Sequence, residues 1–163
     1  MPLVPYRSLP GPWLMGLSAL IAPGSVLLPG NWARVIRARA ALGIEDAKDQ
    51  LAYEDVFERI RLKEVPSAPS RLSCLYVSPD PAAAERFRIE NRMGRTDVLY
   101  RVEPTEALAE VFISRWTLWN WREIREGTSM KARKSARRYW TEPASGPGCE
   151  ILVPCPVRVL DAV

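Results

Sequence analysis

A chain of 163 residues that is 47% apolar and 26% charged is sized for one domain with its own core, spanning residues 1–163. The absence of histidine excludes Ser-His-Asp and Cys-His catalysis and most zinc chemistry, so no metal is expected. Cys74, Cys149 and Cys155 are scattered and lack CxxC spacing, which points to a reducing, cytoplasmic setting rather than a disulfide framework. No run of roughly 18 apolar residues occurs, so no membrane partner is expected.

The first 36 residues alternate short apolar runs with Pro and Gly. Leu3-Val4-Pro5-Tyr6-Arg7 reads as a first strand that tolerates an edge because of Pro5. Trp13–Ala22 is apolar enough to resemble the core of a signal peptide, yet only Arg7 precedes it as a positive charge and no small-x-small cleavage site follows. A buried segment of the domain is the expectation. Pro23-Gly24 and Pro29-Gly30 are turns around a short strand at Ser25–Leu28, and Asn31-Trp32 reads as a loop beyond them, with Trp32 packed or facing a substrate.

Residues 45–63 carry the clearest helical spacing. Tyr53, Phe57 and Ile60 form its apolar face, while Glu54, Glu58 and Arg61 fall on other faces. Leu72–Val77 has the length and apolarity of a strand. Asp80-Pro81 supplies an N-cap and a proline at the first helical position for a helix over Pro81–Asn91. Asp97–Val102 reads as a strand and Thr105–Ile113 as a short helix. Trp116 and Trp119, three apart, share a helix face as packed residues do, and Trp121 follows. A basic helix is expected near Ser129–Trp140, then strands at Glu150–Val153 and Val157–Leu160 around Pro154-Cys155-Pro156.

Strands and helices come in separate runs without regular βαβ alternation, which predicts an α+β fold. Neither GxGxxG nor GxxxxGK[ST] occurs, so a Rossmann fingerprint and a P-loop are both lacking. The net charge of +4 is concentrated in Lys131, Arg133, Lys134, Arg137 and Arg138. Such a patch attracts polyanions, whether nucleic acid, nucleotide phosphate or an acidic protein; a solvated helix face has the same pattern.

Three separated segments carry a resemblance. Val4-Pro5-Tyr6-Arg7 looks like the opening strand of ADP-ribosyltransferase-fold enzymes. Leu75-Tyr76-Val77-Ser78, followed by Ala82, Ala83, Ala84 and Phe87, resembles their second motif. Glu150-Ile151-Leu152-Val153-Pro154, followed by Val157 and Val159, is similar to their glutamate strand. Phe57-Glu58-Arg59-Ile60-Arg61 and Pro69-Ser70-Arg71-Leu72 also look like an uncharacterised bacterial family near this fold.

The resemblance implies two split antiparallel sheets with flanking helices, NAD as co-substrate and transfer of ADP-ribose to a macromolecule. It implies Glu150, Tyr76 and Arg7 as the catalytic set, and Tyr6, Arg7, Ser70, Arg71 and Tyr76 against NAD. A carboxylate at Glu150 suits an oxocarbenium-like transition state, Tyr76 can stack on nicotinamide, and Arg7 can bond bidentately to phosphate or ribose oxygens. Gly148 stands where arginine-modifying members of the fold have an acidic or amide residue, which speaks against protein arginine as acceptor. Two further readings stay open: an NAD glycohydrolase toxin, and a non-catalytic nucleic-acid module with Lys131, Arg133, Lys134, Arg137 and Arg138 on phosphates and tryptophans on bases.

Overall fold

The computed structural model describes residues 3–5, 12–17, 19–92, 97–108, 110–119, 129–145 and 148–163. In chain order the elements are β1 (Leu3–Pro5), β2 (Trp13–Leu17), β3 (Val26–Leu27), α1 (Asn31–Ala41), α2 (Ala47–Glu64), β4 (Leu75–Val77), α3 (Pro81–Arg92), β5 (Val98–Pro104), β6 (Glu110–Arg115), α4 (Ser129–Thr141), β7 (Cys149–Val153) and β8 (Val157–Ala162). The strands form two antiparallel four-stranded sheets, β1-β6-β7-β4 and β2-β5-β8-β3. The fold is α+β.

The inward side chains of both sheets make one core, including Leu75, Val77, Val111, Ile113, Ile151 and Val153 from the first and Trp13, Tyr100, Val102, Val157 and Val159 from the second. The opposite face of the first sheet presents Phe112 and Leu152 to Tyr53, Phe57, Tyr139 and Trp140 of α2 and α4. The sheet β1-β6-β7-β4 is therefore the middle of three layers, and every residue of β7 is buried. Its apolar run CEILV matches that position, because a strand covered on both faces loses the alternation of a half-exposed one. The sheets join at an edge, where Leu14 and Ser78 exchange backbone hydrogen bonds at 3.0 and 2.7 Å.

Most predicted elements are present with shifted ends. The Asp80 carboxylate accepts from the Ala83 N–H at 2.8 Å, capping α3 ahead of Pro81 as expected. The start of Leu72–Val77 is instead a 3-10 turn at Arg71–Ser73, capped by the Ser70 hydroxyl, and the strand begins at Leu75. The stretch Trp13–Ala22, expected to be buried, is so only at its start: Trp13 and Leu14 of β2 are buried, Met15–Leu17 are half-buried, and Ala19, Leu20 and Ala22 are exposed. The Tyr100 hydroxyl accepts from the Ile21 N–H at 2.9 Å and so fixes the segment that follows β2.

Three expectations are corrected. Thr105–Ile113 is not a helix: Glu110–Arg115 is β6, hydrogen-bonded to β1 and β7. Asn31-Trp32 is not a loop but the start of α1, whose N-cap Gly30 takes a left-handed φ of 80°. The buried face of α2 is also more polar than its apolar spacing implies, since Gln50, Glu54 and Arg61 are buried beside Tyr53 and Phe57. The reason is local pairing: Arg61 donates to Glu58, Pro66 O and Ala68 O, and Glu54 faces an arginine.

Candidate functional site

Glu150 is the second residue of β7, and Tyr76 is the middle residue of β4 beside it. Tyr76 stands opposite Leu152 in the antiparallel register, so Tyr76, Leu152 and Glu150 share the sheet face that α2 and α4 cover. On the other side of β7, Ser114 of β6 stands opposite Glu150. The Ser114 hydroxyl donates to the Tyr139 carbonyl at 2.7 Å, fixing α4 over the strand pair.

Arg71 fills the space between these elements. The turn after α2 delivers it: Arg61 holds the Pro66 and Ala68 carbonyls at 3.1 and 2.7 Å, and the Tyr76 hydroxyl donates to the Arg71 carbonyl at 2.5 Å. Its guanidinium donates to Glu54 Oε2 at 3.1 Å, to Glu150 Oε1 at 2.9 Å and to the Tyr139 hydroxyl at 2.6 Å. Tyr139 in turn donates to Glu150 Oε1 at 2.6 Å. The Trp32 indole donates to Glu54 Oε1 at 2.9 Å and closes the cluster from α1.

Rings enclose the guanidinium carbon, at 4.8 Å from the Tyr139 centroid, 5.0 Å from Tyr76, 5.4 Å from Trp119 and 5.7 Å from Phe57. Each distance is within cation–π range. Burial works to lower the Arg71 pKa, but Glu54, Tyr139, Tyr76 and Glu150 hold it well above its ordinary value. Burial pushes the Tyr76 and Tyr139 hydroxyls well above theirs, against the opposing pull of Arg71, so both remain neutral donors. Two carboxylates thus share one guanidinium in a nearly dry box, with Glu54, Arg71 and Glu150 at 1%, 5% and 6% exposure. The Trp119 indole N–H is buried there with no acceptor among the described residues.

The structure brings together Arg71, Tyr76 and Glu150 from the expected set, and adds Glu54, Tyr139 and Trp32. Tyr6 and Arg7 lie outside the described residues. Ser70 is committed elsewhere: its hydroxyl donates to Glu58 at 2.8 Å and accepts from the Leu72 N–H at 3.2 Å. Gly148, just before β7, has φ 102°, and a Cβ there would sit 3.4 Å from Thr117 and 3.9 Å from Trp116. Glycine at this position answers a backbone requirement, since a side chain would be strained.

On α4, Ala132, Ala136, Tyr139 and Trp140 face inward, and the five basic residues lie exposed on the remaining faces. Arg137 pairs with Glu64 at 3.2 Å and Arg138 with Glu142 at 2.8 Å, whereas Lys131, Arg133 and Lys134 have no ion pair among the described residues. Trp116 packs edge-on against Phe87 at 5.5 Å, and Trp119 against Trp32 and Tyr53 at 5.8 and 5.9 Å. Both tryptophans pack, as their spacing suggests, but in different places and not as a shared platform for bases; Trp121 lies outside the described residues. A separate cleft of about 700 Å³ opens farther along the same sheet face, lined by Leu3, Pro5, Glu110, Phe112, Leu152 and Pro154 among others.

Fold and site together define an α+β domain of two antiparallel sheets with a buried carboxylate–guanidinium–phenol cluster on its middle layer. Residues 35–163 match the family described as a protein of unknown function, DUF2441, and the chain belongs to that family. Glu54, Arg71, Tyr76, Tyr139 and Glu150 all fall inside the matched region, while Tyr6, Arg7 and Trp32 fall before it. No curated protein matches the chain. No helix among the described residues is long and apolar enough to cross a membrane.

Proposed function

We propose that this chain is an NAD-dependent ADP-ribosyltransferase that modifies a macromolecular acceptor, with nucleic acid as the acceptor its surface charge favours. The reading is carried by Glu150 and Tyr76 lying on one face of adjoining strands, with the Arg71 guanidinium between them. Split antiparallel sheets with flanking helices agree with it. The aromatic rings and carboxylates of the cluster already hold the Arg71 guanidinium, so on this reading the nicotinamide ring of NAD lies beside the cluster rather than inside it. On this reading nicotinamide stacks on the Tyr76 ring, which also meets the Arg71 guanidinium at 5.0 Å.

In the reaction, the bond between the nicotinamide nitrogen and the ribose C1′ breaks, and its electron pair leaves with neutral nicotinamide. Positive charge develops on the ribose, and the Glu150 carboxylate stabilises it electrostatically. An acceptor nucleophile then bonds to C1′ and releases its proton. Water in that place gives NAD hydrolysis, the reading of the chain as a glycohydrolase toxin. The exposed Lys131, Arg133 and Lys134 favour transfer to a polyanion over hydrolysis. Arg7, by resemblance, holds phosphate or ribose oxygens.

The test is NAD turnover with DNA, RNA and acidic proteins offered as acceptors and label carried in the ADP-ribose part. Wild-type protein releases nicotinamide and labels nucleic acid. Glu150→Gln keeps an oxygen for Arg71 and Tyr139 to donate to, so it folds, and turnover falls at least ~100-fold, the scale of losing one transition-state electrostatic contact. Equal turnover by the folded variant removes Glu150 from the chemistry. Nicotinamide release with no label on any acceptor moves the assignment to hydrolysis.

A further inference from the structure

We infer that Tyr139, on α4, is a positioning residue for Glu150, fixing which carboxylate oxygen faces the reacting sugar. The inference rests on the transferase reading. Its observation is the uneven use of the two Glu150 oxygens. Oε1 accepts from Tyr139 at 2.6 Å and from Arg71 at 2.9 Å, and no donor reaches Oε2 among the described residues. With Oε1 engaged twice, the carboxylate plane is set and Oε2 is the oxygen left for a ligand hydroxyl or a developing charge.

Tyr139 suits this role better than Arg71 alone. Arg71 divides its donors between Glu54, Tyr139 and Glu150, so its position is a compromise among partners. The Tyr139 ring is wedged edge-on against Phe57 at 5.3 Å and Trp140 at 4.9 Å, and its own carbonyl is held by Ser114 across from Glu150. Its hydroxyl therefore arrives from a rigid site, and the protonated phenol has one proton to donate, which goes to Glu150. Tyr139 acts through Glu150, with no contact to substrate required.

The test is Tyr139→Phe, which retains the ring and its packing and removes only the hydroxyl. Steady-state NAD cleavage should show kcat lower by about 10- to 100-fold with KM for NAD within about twofold of wild type, as expected for lost orientation rather than lost binding. The same substitution in a Glu150→Gln background should change the residual rate by less than about twofold, because the group it orients is already gone. An unchanged kcat in Tyr139→Phe, or an equal fall in both backgrounds, overturns the positioning role while leaving the transferase reading standing. A wild-type chain that neither binds nor cleaves NAD overturns both. If Tyr139→Phe proves poorly folded, Ser114→Ala, which loosens the α4 backbone at Tyr139 but keeps its hydroxyl, should lower kcat by a smaller factor at constant KM; unchanged kcat there overturns the role.

Discussion

Arg71 is the residue on which most of the buried polar contacts converge. Removing a buried ion is costly when its counter-ions stay behind, because their desolvation is no longer offset by attraction and hydrogen bonding. Arg71→Met preserves much of the volume among the four rings but leaves Glu54 and Glu150 facing each other without a cation. The expected loss is roughly 3–5 kcal/mol, the range for breaking a buried pair, read from the urea midpoint at neutral pH. Arg71→Lys should recover only part of it, since one ammonium cannot reproduce the planar donors that reach Glu54, Tyr139 and Glu150 together. A midpoint unchanged in Arg71→Met would show that the cluster is not a stabilising pair network.

At the residue scale, Glu150, Tyr76 and Arg71 were singled out through the family resemblance of the segments that hold them, not through residue type. By type alone Tyr76 in LYV reads as a core tyrosine and Glu150 in CEILV as a solvated strand start; the structure adds that both meet Arg71. Glu54 and Tyr139 were not legible as site residues. Each sits on an amphipathic helix whose pattern leaves it an ordinary surface or core position, and their partners are far along the chain. Arg71 lies 17 residues from Glu54, 68 from Tyr139 and 79 from Glu150. Helical periodicity reports which face is covered, not which distant ion covers it.

The turn between α2 and β4 decides where Arg71 goes, and it is held by Glu58, Arg61 and Ser70. Burial raises the Glu58 pKa, but hydrogen bonds from Arg61 and Ser70 outweigh that and leave it below its ordinary value. A carboxyl depressed in the folded state contributes stability that is fully present above its unfolded pKa, roughly 4.3, and is lost as pH falls through the folded value. Glu58→Gln should therefore be less stable than wild type at pH 7, with the gap narrowing only below about pH 4.3 and closing in stronger acid. Paired denaturation curves across pH 2–7 measure this. A gap that is constant throughout would mean that the charge of Glu58 contributes nothing to the turn.

The elements that sequence misplaced share one cause, tertiary cover overriding local preference. EALAEVFISR has helix formers at its start, yet Val111, Phe112 and Ile113 are all buried because β6 lies between β1 and β7 and is covered on both sides. Consecutive buried positions of that kind fit a two-sided strand as well as a helix, and the sequence alone cannot choose between them. In α1 the reverse holds. Its buried residues are only Ala33 and Ile36 among three arginines, and its start follows Pro-Gly, so the turn signal concealed the helix.

Across the whole molecule, the three layers separate the two tasks that the proposed reaction needs. The middle sheet and the inner face of α4 build the dry cluster around Glu150, and the outer face of the same helix displays three basic side chains with no ion pair among the described residues. Lys131, Arg133 and Lys134 lie on one 13-residue helix that contains no acidic side chain. Because the charges are exposed, their attraction for a polyanion is screened by salt, whereas the buried cluster is shielded from it. Acceptor capture and NAD cleavage should therefore respond differently to the same conditions. Raising salt from 50 to 200 mM should reduce labelling of a nucleic-acid acceptor by about tenfold or more if three phosphate contacts are lost, with nicotinamide release into water much less affected. Changing Lys131, Arg133 and Lys134 together to Ala should reproduce that loss at low salt and flatten the salt dependence, with KM for NAD unchanged. Labelling that follows NAD turnover in step through salt and substitution would place acceptor binding elsewhere on the molecule, and would leave the basic face of α4 as a solvated surface.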